Sequence, residues 1–413
     1  MTINFKIEKE IKGKLGRPAC AGRAGVLETA HGTVLTPAFV AVGTKASVKS
    51  LTPEQLKETG SQIVLANTYH LYLQPGEKVV KDGGGLAKFM NWKGPTMTDS
   101  GGFQAFSLGV AYGEGIGKFI GAEAHAQKIT ENINKKAKVI EEGVEFASVI
   151  DGSMHLLTPE KSIQIQHDLG ADIIFAFDEC TSPHAGEEYL RTAMERTHRW
   201  AERSLEEHKN ADPSPSQGEG EGGEVEGKVG LFGIVQGGRS ETLRKESAKV
   251  IGGMDFDGFG IGGSFVKEDM ATAVRWVNEI LPVEKPRHLL GVGEPIDLIL
   301  AVENGCDTFD CVAPTRMARN GALYTNKGKI NITNSKYSND FSSIEKNCAC
   351  YTCKNYTAAY LHHLFHAKEM LAATLATIHN LYFINTLVSN IRKAIIEERF
   401  GEFKENFLSM YNA

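Results

Sequence analysis

Apolar residues along this chain fall into short runs, each closed by glycine or polar residues. In order they are Pro37–Thr44 (PAFVAVGT), Ile63–Tyr69 (IVLANTY), Pro95–Gly102 (PTMTDSGG) and Asp172–Glu179 (DIIFAFDE). Leu231–Gly238 (LFGIVQGG), Phe256–Gly263 (FDGFGIGG), Arg287–Glu294 (RHLLGVGE) and Thr308–Thr315 (TFDCVAPT) follow. Continuous apolar runs of this length suit strands buried on both faces of a parallel sheet. Between them the pattern turns helical. Thr52-Pro53-Glu54 and Thr158-Pro159-Glu160 each supply an N-cap, a proline at the first helical position and an early acid. Gly60, Gly170 and Gly305 stand where helix C-caps belong, and 187–208, 240–251, 268–281 and 295–304 also read as helices. Eight strands alternating with helices predict an α/β protein built on a closed (β/α)8 barrel; an open doubly wound sheet is the competing arrangement.

Two stretches interrupt the repeat. Residues 110–139 lie between the third and fourth strands without a clear period, and Gly143–Asp151 then reads as part of a hairpin. Residues 212–227, rich in Gly, Ser, Pro and Glu, read as a solvated loop insertion. After the eighth strand, Asn320–Thr333 reads as another hairpin, followed by a cysteine cluster and long helices. The expected organisation is an N-terminal β segment (1–36), a barrel (37–319) with insertions at 110–139 and 212–227, and a C-terminal subdomain (320–413).

The 413 residues suffice for one large α/β domain and a smaller appendage. No apolar run is expected to reach membrane-spanning length, and the charged stretch Met1–Lys14 is unlike a signal sequence, so a cytoplasmic protein is expected. A formal net charge of −6 runs against the basic footprint of a nucleic-acid binder. Four of those excess charges, however, are matched by Glu219, Glu221, Glu224 and Glu226 in the loop insertion. Arg316, Arg319, Lys327, Lys329 and Lys336 cluster just past the eighth strand, where they could position phosphates.

Polar residues at the carboxyl ends of barrel strands are the natural site candidates. Here they are Asn67, Asp99, Ser100, Asp178, Glu179, Gln236, Glu294 and Asp310, with His70 as the one nearby histidine. Several carboxylates without a histidine cluster suit chemistry at a glycosidic carbon, one acid as nucleophile and another as proton carrier. The bland reading, helix caps and satisfied surface charges, fits any single position about as well. Agreement among several strands favours the site. Seven cysteines are an odd number, and a disulfide framework is not expected. Cys348, Cys350 and Cys353 lie within six residues and need one more ligand for a closed tetrahedral zinc site with a structural role. On composition alone His362, His363, His366 and His379 compete for that place; Cys20, Cys180, Cys306 and Cys311 read as core residues.

TDSGGFQ (Thr98–Gln104), FDEC (Phe177–Cys180), GIVQGG (Gly233–Gly238), GGSFVKE (Gly262–Glu268) and LLGVGEP (Leu289–Pro295) together resemble the tRNA-guanine transglycosylases. So do FDCVAPTRMARNG (Phe309–Gly321), NTYHL (Asn67–Leu71) and the CxCxxC…H pattern, over most of the chain from about Arg23. The resemblance implies a TIM barrel with a zinc-binding subdomain whose ligands are Cys348, Cys350, Cys353 and His379. It implies that the wobble guanine of a tRNA with a GUN anticodon is flipped into the pocket and exchanged, as a step in queuosine biosynthesis. Asp310 would be the nucleophile and Asp99 the general acid and base. Asp178, Gln236, Gly263, Ser264 and Asn67 would line the base site, Phe103 and Leu290 would sandwich the base, and Arg316 and Arg319 would meet the anticodon. Tyr356, Tyr360 and His363 would line a homodimer interface. Cys180 and Val266 fit the bacterial type, which inserts 7-aminomethyl-7-deazaguanine (preQ1), rather than the queuine-inserting type. GGSFVKE is an unusual form of its loop, and neither insertion has a counterpart in the typical member.

Overall fold

The computed structural model describes residues 3–11, 22–111, 137–211, 228–263 and 268–411. Each of the eight apolar runs carries one barrel strand, the fifth strand starting one residue before its run: Ala38–Val42, Val64–Ala66, Thr96–Thr98, Ile173–Phe175, Gly230–Val235, Gly258–Ile261, Arg287–Leu289 and Thr308–Asp310. All pair in parallel with their sequence neighbours, and the eighth returns to the first through Phe309 opposite Phe39. The barrel is closed; the open sheet is excluded.

Alternation within the strands builds two cores. Val40, Leu65, Met97, Phe175, Phe232 and Ile234 fill the barrel, whereas Phe39, Val64, Ile174, Leu231, Phe259 and Phe309 face the surrounding helices. The sixth strand makes room for its neighbours. A Cβ on Gly258 would stand 2.5 Å from the Phe232 ring, and one on Gly260 would stand 2.9 Å from the Phe175 ring. These two phenyl groups meet edge to face at 5.6 Å.

An antiparallel sheet of Asn4–Glu10, Arg23–Thr29 and Gly32–Thr36 closes the amino end of the barrel, with Ile3, Phe5, Leu27 and Val34 joining the interior cluster. The predicted caps are present. Thr52 and Gln55 exchange bonds in a capping box before Pro53–Glu58, and Thr158 accepts from Lys161 N–H before Pro159–Leu169. Gly170 ends the latter helix at φ 70°, a left-handed conformation that suits glycine.

The hairpin read around 143–151 is larger than expected: Ala137–Val139, Val144–Ala147 and Met154–Leu157 form a three-stranded antiparallel sheet. The 110–139 segment begins in the helix Gly102–Ala111 and ends in the strand Ala137–Val139, while 112–136 and 212–227 lie outside the described residues. Ala322–Thr325 and Gly328–Asn331 form the second expected hairpin.

The helix Met370–Ile396 departs from the sequence expectation in two ways. By length and composition it could cross a membrane, yet 72% of its apolar window is buried in the protein. Nor does it stand apart from the barrel. Leu381, Ile384, Leu387, Val388, Ile391 and Ile395 belong to the same core as the strands, and the helix packs on the first strand between Pro53–Glu58 and Pro295–Glu303. It thus fills the eighth ring position. Asn385 donates to Thr59 O at 3.0 Å and Arg392 to Gly25 O at 2.8 Å, bonding it to the loop after Pro53–Glu58 and to the N-terminal sheet.

Candidate active site

Asn67, Asp99, Asp178, Gln236, Gly263, Leu290 and Asp310 each stand at, or within three residues past, the carboxyl end of a barrel strand. Barrel closure therefore gathers them at one mouth. Asp99 accepts from Thr68 N–H at 2.9 Å, from Gln104 Nε2 at 2.7 Å and from the Asn67 amide. Burial nevertheless pushes its carboxyl up to about 6. The bonds from Asn67 and Thr68 oppose that rise, and the charge of Asp310 adds to it. Such a group can both give and take a proton near neutral pH.

Asp310 ends the eighth strand. Its Oδ1 accepts from Gly291 N–H at 2.8 Å and lies 3.1 Å from His288 Nε2. His70 is thus not the only histidine near the strand ends: His288, absent from the sequence candidates, stands against Asp310. Strand alternation was the available signal, because His288 and Leu290 are two residues apart and share the inward face. His70 itself is pushed down to about 4 by burial and by Lys45 and Lys49, and is neutral at pH 7.

Asp178 joins the fourth and fifth strand ends, accepting from Ser100 Oγ at 3.0 Å and from Gln236 Nε2 at 2.7 Å. Gln236 Oε1 is buried and has no hydrogen-bond partner among the described residues. A buried orphan of this kind marks a place where a polar ligand fits. Gly263 adjoins it at φ 103°; a Cβ there would fall 2.3 Å from Arg244 Nη2. Buried Arg244 donates to Gly238 O at 2.8 Å and Gly262 O at 2.7 Å, tying together the loops that follow the fifth and sixth strands. Phe103 and Leu290 are half-buried, Leu290 against the barrel interior. Ser264 and Val266 lie outside the described residues.

Two candidate acids serve elsewhere. Glu179 is buried beneath Arg196 and Tyr189, both on the helix Glu187–Asn210, and Glu294 pairs with Lys329 at 3.1 Å. Arg316 is exposed and Arg319 half-buried on the helix Ala313–Arg319, directly after the eighth strand. Burial, then the neighbouring Arg316 charge, lower the Arg319 pKa. Tyr356 stacks on Tyr360 at 5.5 Å, with His363 at 6.4 Å from Tyr360, and Tyr360 and His363 are exposed.

Cys348, Cys350, Cys353 and His379 point their ligand atoms at one point, all within 4.8 Å of one another. The three sulfurs lie 3.9, 3.6 and 3.4 Å from His379 Nδ1. Tetrahedral zinc with usual bond lengths would require about 3.5 Å between sulfur and nitrogen. His379 Nε2 donates to Tyr324 O at 2.7 Å, which leaves Nδ1 as the ligand atom. The other three histidines are not in the cluster; His362 and His366 instead meet Ile332 O and Thr333 O.

Closed barrel, carboxylates on three strand ends and a Cys3His cluster able to hold a metal ion define an α/β-barrel protein with an acidic pocket and a metal-binding subdomain. Residues 19–413 match the family model described as queuine tRNA-ribosyltransferase. A protein of that name from Thermoanaerobacter pseudethanolicus is 49% identical over 392 residues, 94% of each chain. Its namesake from Desulforamulus reducens is 47% identical across the whole of both chains, and that from Listeria innocua is 44% identical over 94% of this chain and 93% of its own. The chain belongs to the queuine tRNA-ribosyltransferase family, enzymes that transfer a pentosyl group.

Proposed function

We propose that this protein is a bacterial-type tRNA-guanine transglycosylase that replaces the wobble guanine of GUN-anticodon tRNAs by preQ1. The observation that carries the reading is the contrast between two carboxylates. Asp310 is held by two groups able to donate to a charged oxygen, whereas Asp99 is pushed up to about 6 by burial. One suits a nucleophile and the other a proton carrier. Asp310 attacks the ribose C1′ and the C1′–N9 bond breaks, its electron pair leaving with guanine, which takes a proton from Asp99. Asp99 then accepts a proton from the incoming base, whose nitrogen displaces Asp310 from C1′. Two inversions give net retention.

In this reading Asp178 accepts from the purine N1 and N2 donors, Gln236 and Gly263 N–H meet the carbonyl oxygen, and Ser264 O meets the aminomethyl group. Phe103 and Leu290 hold the base faces, and Asn67 orients Asp99. The aminomethyl group is a cation, which suits an acidic mouth better than a neutral purine does. Arg316 and Arg319 bind the anticodon backbone. Cys348, Cys350, Cys353 and His379 hold a structural Zn2+. Exposed Tyr360 and His363 with Tyr356 meet a second copy of the chain, and the setting is the cytoplasm.

Labelled guanine, preQ1 and queuine offered with unmodified GUN-anticodon tRNA test this directly. Guanine and preQ1 should be incorporated and queuine refused, and Asp310→Asn should lose exchange by at least about 10³-fold while still binding tRNA. Queuine uptake equal to preQ1 overturns the pocket reading. Exchange that survives in Asp310→Asn overturns the nucleophile.

A further inference from the structure

We infer that His288 is a positioning residue for Asp310, acting on the half-reaction in which the carboxylate leaves C1′; this rests on Asp310 being the nucleophile. His288 has no solvent exposure. It lies in the barrel interior with the Phe175 ring 5.4 Å away, its backbone paired with Gly260 on one side and Thr308 on the other. A buried imidazole needs partners for both nitrogens. Nδ1 lies 2.9 Å from Thr308 Oγ1, and Nε2 lies 3.1 Å from Asp310 Oδ1. An ionised carboxylate only accepts, so Nε2 carries the proton. With a single ring proton placed there, Nδ1 accepts from the Thr308 hydroxyl. The chain Thr308 O–H to Nδ1, Nε2–H to Asp310 fixes both the tautomer and the ring plane.

Gly291 N–H reaches the same oxygen at 2.8 Å. Two donors on one oxygen, both set by barrel strands or the turn after them, hold the carboxylate plane before any substrate arrives. Their effect on the two half-reactions differs. When Asp310 attacks, negative charge leaves the carboxylate, and donors that favour that charge help only by orientation. When the second base displaces it, the C1′–Oδ bond breaks and the electron pair returns to the carboxylate. Donors already in place then stabilise the developing charge without reorganisation. Loss of the His288 donor should therefore slow breakdown of the ribosyl-enzyme more than its formation.

His288→Met and His288→Gln isolate the donor. Both are unbranched and of similar length, and Gln can bring an N–H to the place of Nε2. Exchange kinetics, KM for tRNA and the fraction of enzyme trapped as a covalent RNA adduct on denaturing gels are measured for each, with thermal melts as the folding control. We expect His288→Met to lose kcat on the order of 10²-fold, with KM for tRNA falling alongside it so that kcat/KM for tRNA is little changed, and with the adduct accumulating at steady state. His288→Gln should recover most of the rate. Equal impairment of Met and Gln, wild-type kcat in Met, or slow adduct formation without accumulation each overturns the inference. If Met does not fold, His288→Asn replaces it, since Asn reaches the Thr308 side but not Asp310. Absence of any adduct in the wild type, or its persistence in Asp310→Asn, strikes instead at the nucleophile assignment.

Discussion

At the residue scale, Asp99 carries opposing influences whose balance sets a pH dependence. Three hydrogen bonds favour its charge, yet burial with the nearby Asp310 charge outweighs them and the carboxyl titrates near 6. Guanine departure needs the proton and base entry needs its absence. In single-turnover experiments guanine release should therefore fall as pH rises through about 6. Incorporation into preformed ribosyl-enzyme should rise over the same range. Rapid-quench profiles flat in both directions would remove Asp99 as the proton carrier. The same shift is a stability term. An acid whose pKa is raised on folding favours the folded state most at low pH, and that contribution is lost as pH climbs from 3.8 through about 6. Asp99→Asn should thus abolish exchange yet stabilise the protein at pH 8, by on the order of 1–3 kcal/mol. The difference from wild type should shrink toward pH 4. A variant less stable than wild type at pH 8 in urea titrations would contradict this account.

At the scale of elements, the sixth strand shows how a glycine pattern shapes the site from behind. Gly260 leaves its inward space to Phe175 and to Leu290, whose Cδ1 would be only 3.2 Å from an added Cβ. Gly260→Ala must displace one or both. It should cost about 1–3 kcal/mol by overpacking, and because Leu290 stands at the mouth it should also raise KM for the free base. Calorimetry and base-exchange kinetics read the two effects separately; if neither moves, the interior is looser than these distances require. Met370–Ile396 shows a second economy. Its apolar face completes the helical ring, while His379, Asn380, Asn385 and Arg392 bond it to four separate parts of the chain.

At the scale of the whole molecule, the metal cradle joins the subdomain to the barrel. Its four candidate ligands come from the loop and short helix around Cys348–Cys353 and from the ring helix, with the hairpin strand Ala322–Thr325 bonded to His379 behind them. Without a cation, three thiols crowd one imidazole and the link loses its centre. Removing the metal, or Cys353→Ser, should lower Tm on the order of 5 °C or more. Zinc should restore it in the wild type and not in the variant. Calorimetry with metal analysis checks this; a metal-free protein with wild-type Tm would deny the cradle its structural role.

Much of this architecture was legible in the chain because its signals are local. An apolar run of strand length closed by glycine, a Thr-Pro-Glu helix start and three cysteines within six residues each declare themselves without a distant partner. So the eight strands and the three cysteines of the cradle followed from sequence, and strand-end position together with the resemblance pointed to the acids at the mouth. Only the tertiary structure decided which polar residues work together. Glu179 adjoins Asp178 in sequence, yet it turns to Arg196 while Asp178 meets Gln236. His288 meets Asp310 across 22 residues, a pairing that exists only once the seventh and eighth strands lie side by side. Nor could composition tell that Met370–Ile396 closes the helical ring, since a membrane span and a core helix bury the same apolar residues against different surroundings. Alternation fixes which residues share a face, but barrel closure determines what that face meets.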